Sequence, residues 1–166
     1  MGVGMSANRS FESWYRSTYA RLLTAMVAVC GDRDLASDAT DEALSRAWRR
    51  WETVQVMSSP EGWTYRVALN LVRSRLRRRR VEQRLLPRLI SRAHVSAPAG
   101  EVWELVRALP PRQRLAVVLR YVADLDEREI ATVMGITRGT VASTLAAARR
   151  NLGIALDADE IAEERS

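Results

Sequence analysis

Arginine supplies every one of the 26 basic residues of this 166-residue chain, against 20 acids. The chemistry on offer is therefore the planar guanidinium fork, which pairs with two oxygens at once on a phosphate or a base edge. An excess of Arg over Lys also follows from a GC-rich coding composition, so the distribution of the arginines says more than their number. Residues 61–100 hold ten of them against two acids, whereas residues 1–60 balance seven against seven and residues 101–166 hold nine against eleven. One central segment accounts for the net charge of +6, and a polyanionic partner is the expected consequence.

Groups for bond-making chemistry are scarce. The single histidine, His94, stands in a weakly patterned stretch, where it reads as a solvated residue. The single cysteine, Cys30, follows the apolar run Ala25 to Val29 and reads as a buried, inert thiol. No Gly-rich phosphate loop and no cluster with metal-ligand spacing occurs in the sequence. The expectation is a protein that is not an enzyme, with no catalytic residues, no cofactor and no metal. One cysteine gives no internal disulfide. The apolar runs fall short of the ~18 residues a bilayer requires, and the start carries no signal-peptide pattern. No membrane insertion is expected, and the expected compartment is the cytoplasm.

A second constellation carries recognition chemistry. Ala131, Gly135 and Val141 stand at the spacing of a helix-turn-helix: a small residue where two helices cross, a glycine able to take positive φ at the turn, and an apolar plug. Ile130 and Met134 pack the first of these helices, Thr137 caps the second, and Leu145 packs inward with Val141. The second helix then offers Thr137, Arg138, Thr140, Ser143 and Thr144 to base edges, with Arg149 and Arg150 in reach of phosphates.

The elements that must position these groups are helical throughout. Period-2 alternation and hairpin turns are missing, and helical spacing recurs. The expected fold class is all-α, two small helical domains joined by a linker. After a mobile tail over 1–10, a helix is expected from Phe11 to Cys30, with Trp14, Tyr15, Thr18, Leu22, Met26 and Val29 inward and Gly31 ending it. Asp32 or Asp34 caps a second, running to about Trp51. Its inward positions are Leu35, Ala39, Ala43, Leu44, Ala47, Trp48 and Trp51, and Asp38, Asp41, Glu42, Arg46 and Arg49 face outward. Glu52 to Ser59 connects to a third helix, with Ser59 as cap and Pro60 in its first turn. That helix is expected to pack on Trp63, Val67, Leu71 and Leu76 and to end in Arg77 to Arg80. The first domain thus spans 11–80. Residues 81–100, with Pro87 and Pro98, form the linker, including a short helix at Glu82 to Arg92. A second domain over 101–156 holds helices at 101–108, 112–121, 126–134 and 137–152, and 157–166 is an acidic tail.

With these residues in place a family resemblance becomes specific. Leu109-Pro110-Pro111-Arg112-Gln113-Arg114, Val118 to Tyr121, and Ile130-Ala131 through Gly139-Thr140-Val141 resemble region 4 of extracytoplasmic-function (ECF) sigma factors. LuxR-type regulators share that helix-turn-helix core, and a stand-alone regulator of that kind, binding duplex operators, is the alternative. Asp34 to Trp48 resembles region 2.2 of the sigma family, and Pro60 to Asn70 with the Arg run resembles regions 2.3 and 2.4. The resemblance implies a region 2-like bundle of three or four helices and a region 4-like domain. It implies a factor that binds core RNA polymerase through the β′ clamp helices and the β flap, recognises −35 and −10 promoter elements and helps melt the promoter. An anti-sigma factor is an implied partner. Core binding falls to Asp38, Asp41, Glu42, Arg46 and Trp48. The −10 element falls to Gln55, Met57, Ser58, Trp63, Tyr65, Arg66, Asn70, Arg73, Arg77 and Arg78. The −35 element falls to Arg112, Thr137, Arg138, Thr140, Ser143, Thr144, Arg149 and Arg150. Trp48, Trp51 and Trp63 are equally readable as core, and the acidic helix, taken alone, as a solvated face. The chain departs from the family at Ala142 and Thr144, where basic residues are usual, so two −35 contacts are missing.

Overall fold

The computed structural model describes residues 3–85 and 100–163, with side-chain surroundings for 10–81 and 102–153. Eight helices run in the order α1 (Val3–Cys30), α2 (Arg33–Arg49), α3 (Trp51–Val54), α4 (Pro60–Leu85), α5 (Glu101–Ala108), α6 (Pro111–Tyr121), α7 (Glu127–Met134) and α8 (Arg138–Glu163) among the described residues. The chain divides into two units, Met1–Ala97 and Pro98–Ser166. The expected linker residues 86–99, with Pro87 and His94, lie outside the described residues, as do 164–166 of the acidic tail.

In the first unit α1, α2 and α4 pack pairwise and the short α3 fits against α1 and α2. The buried stripe of α2 is Leu35, Ala36, Ala39, Thr40, Ala43, Leu44 and Ala47. Its alanines let α2 approach its neighbours closely, since interaxial distance follows side-chain size at the contact. Gly31 stops α1 in the left-handed region at φ 69°, its N–H on the Val27 carbonyl at 2.8 Å. Asp32 then caps α2: one carboxylate oxygen accepts the Leu35 N–H at 2.9 Å and the other accepts Arg79 Nη1 at 2.5 Å. Burial pushes the Asp32 carboxyl up, but the Leu35 N–H and the Arg79 guanidinium outweigh it and hold it below the usual value of 3.8. Ser59 caps α4 by accepting the Gly62 N–H at 2.8 Å, and Glu61 in its first turn also accepts the Trp14 indole N–H at 2.6 Å.

Five features differ from the sequence-based expectation. Helix α1 opens at Val3, inside the expected tail, and no proline separates those residues from Phe11. The 52–59 connection contains a helical turn, and Val54 is fully buried, closing the bottom of the core. Trp48 is 47% exposed and Trp51 takes the inward place, 6% exposed. On α4 the buried stripe is Tyr65, Ala68, Leu69 and Val72, whereas Trp63, Val67, Leu71 and Leu76 are half-buried. Alanine at 68 lets α4 sit close to its neighbours, and the bulkier residues one position away flank that contact. Arg, Gln, Glu and Leu are good helix formers, so α4 continues through 81–85.

In the second unit Leu109 and Pro110 form the corner before α6, whose Leu115 to Leu119 are all buried. Asp126 and Glu129 form a reciprocal capping box at the start of α7. Gly135 ends α7 at φ 68°, and an added methyl there would meet no atom within 4 Å. Ile130 and Val133 are the buried residues of α7, with Ala131 and Met134 half-buried. Thr137 caps α8 by accepting the Thr140 N–H at 3.2 Å, and α8 runs on to Glu163, past the expected start of the tail.

Two outcomes follow. Gly135→Ala costs about 1 kcal/mol in thermal or denaturant unfolding, all of it from the left-handed backbone, because space is not limiting. Asp32→Ala lowers stability by about 1 kcal/mol. Because the native carboxyl titrates below its unfolded value of 3.8, that deficit is full above this pH. The gap between wild type and variant closes as pH falls further, through the native pKa.

Candidate nucleic-acid interface

Helix α4 is 26 residues long and carries the central arginines. At 3.6 residues per turn, Arg66, Asn70, Arg73, Arg77 and Arg80 fall within a wedge of about 80°, and all five are exposed. Arg75 and Arg79 fall on the opposite side. There Arg75 Nη1 donates to Asp38 at 2.5 Å and Arg79 Nη1 to Asp32 at 2.5 Å. The Arg run is thus divided: one set is tied to α2 and another forms a solvent-facing stripe, with Arg78 exposed about 120° from it. Such a stripe can track a phosphodiester backbone, each fork taking a phosphate oxygen pair.

The other residues expected near this stripe are not all available. Gln55 and Ser58 are exposed, and Met57 and Trp63 are half-buried. Tyr65 is 1% exposed, and its hydroxyl lacks a hydrogen-bond partner among the described residues. It belongs to the core stripe with Ala68, Leu69 and Val72, so it offers no ring face to a base. Burial pushes its phenol far up. Cys30 is half-buried, its thiol donating to the Asp32 carbonyl at 3.2 Å, and burial raises its pKa.

On α2, Asp38, Asp41 and Arg46 are exposed and Glu42 is half-exposed. Asp38 is engaged by Arg75. Glu42 accepts Arg46 Nε at 2.7 Å and lies 3.5 Å from Arg49, and the Arg46 hydrogen bond leads in holding its carboxyl below the usual range. Asp41 has no ion pair among the described residues. It lies near Tyr15, whose phenol is raised first by burial and then by Tyr19 and Asp41. Beside it Trp48 packs on Phe11 at 4.8 Å between ring centroids. Phe11, Glu12, Tyr15 and Trp48 line a shallow groove of ≈ 340 Å³. The sequence gives Trp48 both to the core and to the polymerase and puts Tyr15 inward; both are exposed, and the i, i+4 aromatic spacing of Phe11 and Tyr15 on α1 was the available signal for this surface.

On the second unit Thr137, Arg138, Thr140 and Ser143 are exposed and Thr144 is half-exposed, all on the first two turns of α8 or its cap. Their hydroxyls are locally engaged: Thr137 and Thr140 share a hydrogen bond of 2.8 Å, and Ser143 and Thr144 donate to the Thr140 carbonyl at 3.0 and 2.7 Å. Arg112 and Arg150 are exposed. Arg149, also exposed, donates to the Tyr121 hydroxyl at 3.0 Å. Arg138 faces Glu127, a residue that sequence reasoning left unassigned.

Among the described residues no helix is long and apolar enough to cross a membrane. No group of three or more His, Cys, Asp or Glu side chains there could hold a metal ion.

Comparison with known proteins adds to this geometry. The family model described as Sigma-70 region 2 matches residues 9–82, and that described as Sigma-70, region 4 matches residues 99–152. The RNA polymerase sigma-E factor of Streptomyces coelicolor is 30% identical over 163 residues, spanning 93% of this chain and 92% of its own. The ECF RNA polymerase sigma factor EcfG of Rhodopseudomonas palustris is 29% identical over 140 residues, 80% of this chain and 77% of its own. In fold, the chain is similar to the sigma factor RpoE of Bartonella quintana, solved with the anti-sigma factor NepR. The TM-score is 0.77 at 20% identity, covering 91% of this chain and 99% of that one. It is also similar to CnrH, solved with the cytosolic domain of CnrY, at a TM-score of 0.62 and 22% identity, covering 92% and 90%.

Removing the buried phenolic oxygen tests the Tyr65 assignment. Tyr65→Phe leaves DNA interaction unchanged and raises unfolding stability by up to about 1 kcal/mol, since it deletes an unsatisfied polar atom and little else.

Proposed function

The chain belongs to the ECF type of RNA polymerase sigma factors and directs that enzyme to promoters, and from that premise we propose how its surfaces divide the task. It is an initiation factor and not an enzyme. The stand-alone regulator accounts only for the helix-turn-helix unit and leaves the region 2 match over 9–82 unexplained.

The first unit holds core polymerase on the α2 face and promoter DNA on α4. The observation that carries this is the splitting of the α4 arginines, with Arg75 and Arg79 tied to Asp38 and Asp32 and Arg66, Arg73 and Arg77 turned outward. The outward set, with Asn70 and Arg78, takes the −10 strands. Gln55, Met57, Ser58 and the half-buried Trp63 stand by to receive an unstacked base, whose extrusion a pocket can offset. Because Asp38 is engaged by Arg75 and Glu42 by Arg46, Asp41, with Trp48 two turns further along the same side of α2, is the leading contact for the β′ clamp helices. The second unit reads the −35 element with the start of α8, positioned by Arg112, Arg149 and Arg150, and meets the β flap. Core polymerase and promoter DNA place this activity in the cytoplasm. The sigma factor RpoE, of similar fold, was solved with an anti-sigma factor, and an anti-sigma factor is proposed here by that likeness.

Reconstitution with core polymerase and run-off transcription tests this reading. Asp41→Ala lowers core affinity about tenfold, more than Asp38→Ala does, as a contact at the centre of an interface should. The triple variant R66A/R73A/R77A keeps core affinity and loses promoter opening. Core binding by neither wild type nor variants overturns the assignment.

A further inference from the structure

Arg138 opens α8 at the end aimed at base edges, and it is the one cation between Thr137 and Thr144. The positions around it are small: Gly139, Ala142 and four hydroxyl residues already engaged locally. Discrimination between bases therefore concentrates on one guanidinium. Its nearest ionic contact is Glu127, the first residue of α7, with Nε 3.5 Å from Oε2. Among the described residues the Arg138 side chain has no other ion pair or hydrogen bond.

The atom contacted is informative. A carboxylate at Nε leaves the two Nη groups unclaimed, and those two parallel donors match O6 and N7 of guanine. A carboxylate competing with DNA would sit on the Nη end instead. Glu127 makes no other ion pair or side-chain hydrogen bond among the described residues. A depression of ≈ 360 Å³ is lined by Arg120, Asp126, Glu127, Arg128, Arg138 and Arg149. Asp126 is used as the cap of α7, accepting the N–H groups of Arg128 and Glu129 at 2.7 and 2.8 Å. Arg120 donates to the Leu125 carbonyl at 3.0 Å, and Arg149 to Tyr121.

We propose that Glu127 is a positioning residue for base recognition: it holds Arg138 by Nε so that the Nη fork meets a guanine of the upstream promoter element. The proposal rests on Arg138 reading that element. In the free protein the exposed pair contributes little stability. Its effect arises in the groove, where water is excluded and the fork must be held in one orientation.

The test uses holoenzyme reconstituted from the full chain and core polymerase, selecting from duplex promoters randomised over the upstream element. Affinity for unrelated duplex DNA and the thermal unfolding midpoint are measured alongside. Wild type selects guanine at one position, and Arg138→Ala loses that selection. Glu127→Ala reduces the guanine preference about tenfold, the scale of a bidentate contact. It leaves affinity for unrelated DNA unchanged or raised, because a negative charge is gone. Glu127→Gln, whose carbonyl oxygen is able to accept from Nε, keeps part of the preference and decides the matter should the alanine variant unfold. If the Glu127 variants bind every sequence more tightly with guanine preference intact, Glu127 is only a repelling charge and the proposal is overturned. If Arg138→Ala keeps full sequence preference, the reading of Arg138 falls, and this proposal with it.

Discussion

A helix has one circumference, and that of α4 must serve three tasks at once. Tyr65, Ala68, Leu69 and Val72 bury one stripe in the core, Arg75 and Arg79 tie a second to the acids of α2, and Arg66, Asn70, Arg73, Arg77 and Arg80 face solvent on a third. Shifting the helix by one residue would rotate it by about 100° and break all three assignments together. The Asp32 cap gains from this arrangement, because the carboxylate that starts α2 also receives a guanidinium from α4. Start of one helix and orientation of another are thus coupled through a single side chain.

Most of the fold was readable in the sequence because its punctuation is strong. Gly31 and Gly135 end helices in the left-handed region, Ser59 and Thr137 cap the next ones, and Pro111 stands in the first turn of α6. The stripe on α4 was the main misreading. Choosing the large apolar residues Trp63, Val67 and Leu71 gave a helical spacing, but a close helix contact selects small residues, and Ala68 marks it. Tyr65, expected to stack on a base, is 1% exposed, and Trp48, expected both inward on α2 and at the polymerase, is 47% exposed.

The candidate surfaces were legible as sets of residues and less so as partners. Charge runs show where basicity lies, yet they cannot show that Arg75 and Arg79 are engaged internally, since Asp38 and Asp32 stand 37 and 47 residues away along the chain. Glu127 was invisible for a related reason. It reads as an ordinary first-turn acid, favourable to the positive end of α7. Only the turn at Gly135 brings the start of α8 back beside it.

The partition of the α4 arginines also governs how ions compete with the promoter. Each guanidinium that neutralises a phosphate of a single strand displaces condensed counterions, with a slope of roughly −0.7 per contact in a plot of log affinity against log salt. Ten arginines between residues 61 and 100 would suggest a slope near −7. The outward stripe of Arg66, Arg73, Arg77 and Arg80 contributes about −3 of this, and the exposed Arg78 roughly −0.7 more. Arg75 and Arg79, engaged by Asp38 and Asp32, add nothing to it, so a count of arginines overstates the salt sensitivity of this helix.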